Sequence, residues 1–229
     1  MNIGGLQKVS LIDYPGKISA IIFTQGCNFR CPYCHNPELV DPKLYKPCLF
    51  PKDILDFLDH RRGKLDAVTI TGGEPTLQDD LIPFIQKIRK MGFAVKLDSN
   101  GSHPDVLARL LKEKLLDFVA LDIKAPQDKY RQTVKVPVDA AVIAESVRIV
   151  LKSKIPQEFR TTVVKSMLTA KDILAIAKEI VGAKRYALQR FQPAQTLDPE
   201  FAGENSCPEN ELLKLKKQLE KIVPLVVIR

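Results

Sequence analysis

Apolar residues recur along this chain with two alternating periods. The runs Ile18–Thr24, Ala67–Thr71, Ala94–Leu97, Phe118–Ile123, Glu158–Val164 and Arg185–Phe191 are short and mostly β-branched or apolar, as buried strands are. Between them the apolar positions fall three and four apart. From Asp79 to Met91 they stand at 81, 85 and 88, with more at 82 and 84, and Gly92 supplies a stop. Pro104–Leu116, Asp139–Ser153 and Lys171–Val181 read as further helices. A last helix, Glu209–Ile222, places Leu212, Leu215, Leu219 and Ile222 on one face. Strands alternating with helices through short connections predict an α/β fold, with parallel strands and helices packed outside. Six such units are too few for a closed eight-fold barrel. An open partial barrel or a doubly wound sheet is expected, with the chemistry at the C-terminal ends of the strands.

Composition narrows the picture little. With 229 residues, 45% apolar and 27% charged, the chain suits one domain spanning 1–229 with a well-buried core. No apolar run approaches the length of a membrane span, so no membrane association is expected. The start, MNIGGLQKVSLIDYPGK, has no apolar stretch of signal-peptide length, which predicts a cytoplasmic location. Thiols stay reduced there, and clustered cysteines point to metal or catalysis rather than disulfides. The net charge is +8, yet the basic residues are scattered and no nucleic-acid-binding module accompanies them. Solvated basic faces are expected, able to steer an acidic protein partner, with no nucleic acid bound.

The polar motifs fall at successive strand ends. The first strand is followed by Cys27-Asn-Phe-Arg-Cys31-Pro-Tyr-Cys34-His35, and the second by Thr71-Gly72-Gly73-Glu74-Pro75. Asp98-Ser99-Asn100-Gly101 follows the third, and Asp122-Ile-Lys124 the fourth. Arg160 lies in the fifth strand and Gln192 closes the sixth. Each has an ordinary reading as a tight turn, a loop cap or a local ion pair. Their coincidence around one three-cysteine loop carries the weight.

Three thiols in eight residues admit four readings. Cys31-Pro-Tyr-Cys34 is a dithiol redox pattern, and Cys31 to Cys34-His35 fits covalent haem attachment. A zinc site would need four ligands. Cys34 and His35 are adjacent, which is awkward for one tetrahedron, but Cys48 could be the fourth ligand, so zinc stays open. The fourth reading is a four-iron cluster held by three thiolates, with one iron left for a substrate. The other two cysteines, Cys48 and Cys207, are too few for a second cluster and read as ordinary thiols.

The C-x3-C-x2-C spacing, with an aromatic before the last Cys and a Gly-Gly-Glu turn, resembles the radical S-adenosylmethionine enzymes. SLIDYPGKISAIIFTQGCNFRCPYCHNPEL is similar to the glycyl-radical-enzyme activases, and among them to the anaerobic ribonucleoside-triphosphate reductase activating proteins. The resemblance runs from Gly5 through Gln192 and implies a partial (β/α)6 barrel. It implies that Cys27, Cys31 and Cys34 hold three irons of one [4Fe-4S] cluster, and that S-adenosyl-L-methionine chelates the fourth iron. Gly72, Gly73 and Glu74 would receive its ammonium, and Tyr33 would lie beside the adenine. Asp98 and Asp122 match acidic positions near methionine and ribose, where some activases also hold a monovalent cation. Lys124 and Arg160 match basic positions, and Asn100 would fix its loop. Gln192 would contact adenosine, although well-known relatives carry His there. One electron from a low-potential donor such as flavodoxin or ferredoxin would cleave the sulfonium. The resulting 5′-deoxyadenosyl radical would take hydrogen from a glycine of a partner enzyme. Two other readings remain: a radical enzyme acting on a small molecule, as deazapurine synthases do, and a non-catalytic zinc or electron-transfer protein.

Overall fold

A computed structural model describes all 229 residues. Eight strands form one sheet in the order of the chain: β1 (Ile3–Ser10), β2 (Ser19–Thr24), β3 (Ala67–Gly72), β4 (Ala94–Ser99), β5 (Phe118–Asp122), β6 (Gln157–Val163), β7 (Tyr186–Arg190) and β8 (Val226–Ile228). β1 runs antiparallel to β2, and every later pair is parallel. The helices fall in the crossovers: α1 (Pro37–Val40) and α2 (Pro51–His60), α3 (Leu81–Lys90), α4 (Pro104–Lys112), α5 (Tyr130–Val134) and α6 (Ala140–Lys152), α7 (Ala170–Glu179) and α8 (Glu209–Leu219). Six strand–helix units therefore run from β2 to α8, as the periodicity predicts. None of these helices is long and apolar enough to cross a membrane.

The sheet is curled and open. A single cavity of about 290 Å³ is lined by Phe23 of β2, Asp98 of β4, Arg160 of β6 and Gln189 of β7. Laid flat, β2 and β7 would be roughly 24 Å apart, five steps of about 4.8 Å. Only a concave sheet brings both to one small space. β1 and β8 are its two unpaired edges.

Local chemistry explains most of the elements. β2 and β3 (SAIIFT and AVTITG) are β-branched and almost wholly buried, as strands covered on both faces must be. α3 buries Leu81, Ile82, Phe84, Ile85 and Ile88 on one face. Thr169 and Asp172 bond reciprocally to open α7.

Five elements lie outside the sequence expectation: the short helices α1 and α5, and three more. β1 (IGGLQKVS) is Gly-rich and half polar, with no strand-like alternation, and its pairing with β2 holds it. α2 begins at Pro51 and buries only Ile54 and Leu58. β8 is a three-residue strand in the apolar tail, pairing with β7 as the seventh parallel strand. One hydrophobic cluster of 50 buried residues fills the space between sheet and helices.

Candidate active site

The cysteine loop leaves β2 at Thr24 and crosses the C-terminal ends of the strands. Cys27, Cys31 and Cys34 are all free thiols lining the one cavity. The loop is braced from within: Arg30 Nη1 donates to the carbonyls of Cys27 (2.7 Å) and Phe29 (2.9 Å). The Phe29 N–H points at Cys27 Sγ from 3.4 Å. Burial pushes the Cys27 thiol up to about 12 and the Cys31 thiol up to about 11, and Cys34 also lies above its ordinary value. No three His, Cys, Asp or Glu side chains in the chain are arranged to hold a single metal ion. Three thiolates on one loop could each meet a different iron of a cluster. Cys207 is buried in the core and Cys48 Sγ lies 3.3 Å from Gln25 Oε1, both away from the cavity.

The Gly-Gly-Glu turn clamps this loop. Gly72 has φ +109°, and a Cβ there would lie 2.5 Å from the Thr24 nitrogen. A Cβ on Gly73 would lie 2.0 Å from the Gly26 carbonyl oxygen. No side chain fits either position. The closeness is used: Gly73 N–H donates to the Thr24 carbonyl and Glu74 N–H to the Gly26 carbonyl, each at 2.8 Å. Gly72 and Gly73 line the cavity, but Glu74 does not. Its carboxylate is fully buried and accepts from Thr76 N–H (3.0 Å), Thr76 Oγ1 (2.6 Å), Ser99 Oγ (2.9 Å) and Asn100 N–H (2.6 Å). Burial raises its pKa while those four donors pull it down. In this structure the Glu74 oxygens tie the β3 loop to the β4 loop.

Asn100 continues the brace. Its amide donates to Asn28 Oδ1 (3.0 Å) and points toward Cys27 Sγ from 4.0 Å, while Asn28 donates to Ser102 Oγ (2.9 Å).

Four charged residues predicted from sequence meet in the cavity, because register places Asp122 of β5 directly beside Arg160 of β6. Arg160 Nε donates to Asp122 Oδ1 (2.7 Å) and its Nη1 to Asp98 Oδ2 (2.8 Å), and Lys124 Nζ donates to Asp122 Oδ2 (3.2 Å). Burial opposes ionisation of Asp122, but the adjacent guanidinium and ammonium prevail and hold its carboxyl well below the usual range. Asp98 is likewise lowered against its burial by Arg160 and Lys96. Lys124 is raised despite burial, chiefly by Asp122. All four groups are therefore charged at neutral pH.

Tyr33 lines the same cavity, 4% exposed, with its buried hydroxyl beside the Cys31 thiol. Gln192 does not line it. β7 ends at Arg190, so the inward residue of that strand is Gln189, and Gln192 lies past the end beside an adjoining polar cavity with Gln195 and Arg229. Its carbonyl instead accepts from His35 Nε2 at 2.8 Å, and the His35 ring stacks on Phe191 with centroids 5.2 Å apart.

Sequence reasoning missed Asp13, Lys96, Thr162 and Gln189. Asp13 follows Ser10, which pairs with Ser19 at the start of β2, so the cavity extends from the cysteine loop toward the opposite strand ends. Period two from Arg160 finds Thr162, and period two from Asp98 finds Lys96. Nothing in the sequence marks Asp13 as an inner residue.

The fold and the site define an open α/β barrel with a three-thiol loop over a charged interior. Residues 21–180 match the profile of the Radical SAM superfamily, and the chain belongs to that superfamily. Its members use a [4Fe-4S] cluster and S-adenosyl-L-methionine. A Methanocaldococcus jannaschii protein with the provisional name glycyl-radical enzyme activating enzyme MJ1227 is 40% identical over 99% of this chain and 95% of its own length. The pyruvate formate-lyase-activating enzyme of Clostridium pasteurianum is 35% identical over 55% of this chain and 53% of itself. The 7-carboxy-7-deazaguanine synthase of Methanopyrus kandleri is 33% identical over 49% of this chain and 52% of itself. The chain thus matches only about half of these last two proteins. Among solved structures, Streptococcus suis SuiB bound to its precursor peptide SuiA superposes with a TM-score of 0.69 at 13% identity. That match covers 90% of this chain and 47% of SuiB, and it shows a shared fold.

The residues present fit both groups the superfamily uses. Three free thiols line the cavity together, N–H groups point at Cys27 Sγ, and Tyr33 and an ionised Asp–Arg–Lys set line the same space.

Proposed function

We propose that this chain is a glycyl-radical-enzyme activating enzyme and that its client is an anaerobic ribonucleoside-triphosphate reductase. The observation that carries the reading is one cavity in which three free thiols face Asp122, Lys124 and Arg160. The near-full-length likeness to MJ1227 supports the activase class. Asp13, from the Asp-Tyr-Pro-Gly segment that resembles the activases, lines this same cavity.

Cys27, Cys31 and Cys34 would hold the cluster, with hydrogen bonds from Phe29 N–H and the Asn100 amide tuning the potential at Cys27. When bound, the cluster and S-adenosyl-L-methionine supply an electron and a 5′-deoxyadenosyl radical for hydrogen abstraction. The chain's own residues bind, orient and exclude water. Lys124 and Arg160 would meet the carboxylate end of the cofactor, Asp98 and Asp122 its cationic and hydroxyl groups, and the backbone of Gly72 and Gly73 its ammonium. Tyr33 would lie beside the adenine. The curled sheet keeps these groups fixed and dry, so little reorganisation accompanies reaction. A backbone segment carrying the target glycine would enter between the unpaired edges β1 and β8. The electron donor is a low-potential carrier of the flavodoxin or ferredoxin kind.

The test is anaerobic electron paramagnetic resonance of the reconstituted protein mixed with reductant, S-adenosyl-L-methionine and the reductase. A glycine-centred doublet on the reductase, absent with Cys34→Ala, is expected. No doublet on any glycyl-radical enzyme sinks the reading. The half-length likeness to the deazaguanine synthase favours a small-molecule substrate as the second reading, and turnover of such a molecule without a protein partner would establish it.

A further inference from the structure

Lys96 lies on β4, opposite Thr69 of β3 and Phe118 of β5, and is 3% exposed. An ammonium so deep in a barrel is expensive to desolvate and needs a partner. Its partner is Asp98, two residues on and therefore on the same side of the strand. The other oxygen of Asp98 takes Arg160 Nη1 at 2.8 Å. Arg160 in turn holds Asp122 through Nε at 2.7 Å, and Lys124 holds Asp122 from 3.2 Å. The chain of charges thus reads Lys96, Asp98, Arg160, Asp122, Lys124. Each carboxylate is flanked by two cations, and Arg160 is shared between them. Lys96 is the end cation, beyond Asp98 on the side away from the cysteine loop. Its Nζ also stands 5.8 Å from the centre of the Phe118 ring, which closes the space around it.

We propose that Lys96 is a positioning residue whose ammonium serves as a built-in monovalent cation for Asp98. It neutralises that carboxylate from behind, so Arg160 stays shared with Asp122 and the set presents a fixed charge pattern to the ligand. Without it, Asp98 would draw Arg160 toward itself and leave a charge seeking a small cation from solution. The protein would then bind S-adenosyl-L-methionine without needing potassium, sodium or ammonium. This rests on the reading that the cavity receives that cofactor.

The experiment compares wild type, Lys96→Met, which keeps the apolar stem but removes the charge, and Lys96→Arg, which keeps a cation. S-adenosyl-L-methionine affinity is measured on the reconstituted proteins by calorimetry, in choline chloride and in potassium or ammonium chloride at matched ionic strength. Wild type and Lys96→Arg should bind alike in all three salts. Lys96→Met should bind roughly ten- to hundred-fold more weakly in choline, the worth of a buried charge-assisted bond. Potassium or ammonium should restore much of that loss. Thermal unfolding of the cluster-free proteins gives a second readout, with stabilisation by potassium or ammonium over choline expected only in Lys96→Met. Cofactor affinity of wild type that depends on potassium overturns the proposal. So does a Lys96→Met protein that binds normally in choline, or a deficit that no cation relieves and Lys96→Arg shares. If Lys96→Met does not fold, the salt series on wild type and Lys96→Arg still decides. Absence of cofactor binding in wild type would sink the functional reading instead, leaving the unfolding measurements to judge Lys96.

Discussion

Arg160 and Asp122 stand side by side on neighbouring parallel strands, and Arg160 Nε donates to Asp122 Oδ1 across 2.7 Å. Because Arg160 also reaches Asp98, this pair couples β4, β5 and β6 inside the barrel. Removing one partner leaves an unpaired charge in a poorly solvated space.

Asp122→Asn should therefore weaken S-adenosyl-L-methionine binding by roughly 1–3 kcal/mol, read by calorimetry. The same variant tests the pH linkage. The Asp122 carboxyl is depressed in the folded protein, so its stabilisation is complete above the unfolded value near 3.9. It is lost as pH falls from there toward the folded value. Urea unfolding below about pH 4 should lose stability more steeply in wild type than in Asp122→Asn. Equal acid slopes would remove the ion pair from the account.

The three thiols make a prediction at the other end of the pH scale. Burial raises all three, so the cluster-free fold keeps protons that the unfolded chain releases above about pH 8.5. The unfolded state then binds fewer protons, and stability must fall as pH rises through that value. Cys27→Ala should flatten this alkaline loss in the cluster-free protein. Reconstituted wild type should hold about four irons per chain, and each of the three Cys→Ala variants should lose cofactor cleavage while keeping wild-type circular dichroism.

Glu74→Ala deletes the acceptor of four hydrogen bonds and strands donors in two loops. A loss of roughly 3–5 kcal/mol in urea unfolding is expected, together with poor iron retention. If Glu74 instead met the ligand ammonium, Glu74→Ala would weaken cofactor binding and leave stability almost unchanged.

Gly73→Ala places a methyl group 2.0 Å from the Gly26 carbonyl, next to the first cluster cysteine. The backbone must move, so iron content after reconstitution should drop several-fold even if the rest of the barrel folds. Iron uptake equal to wild type would mean that the loop tolerates the displacement.

The strand–helix alternation was legible because buried parallel strands are continuous apolar runs and their covering helices are amphipathic. Each pattern is local. β1 and β8 were not legible, since Gly-rich or three-residue strands depend on their neighbours for their conformation. The site divides the same way. Cys27, Cys31, Cys34, Asp98, Asp122, Lys124 and Arg160 stood out as polar residues at strand ends, and all seven line the one cavity. Glu74 and Gln192 sat in equally marked positions but face elsewhere. The first is consumed by loop donors and the second lies past the end of β7.

By itself the sequence determined which polar residues stand in or just after which strand, because spacing along a chain is a local quantity. That Gly72 and Gly73 admit no side chain emerged only from the structure, where the Thr24 and Gly26 backbone lies against them. Only the tertiary structure decided that Arg160 bridges Asp98 and Asp122, that Lys96 backs Asp98, and that Asp13 reaches the cavity from the far end. Those relations depend on strand register and on how far the sheet curls. Packing across the whole barrel sets both, and no short stretch of residues encodes them.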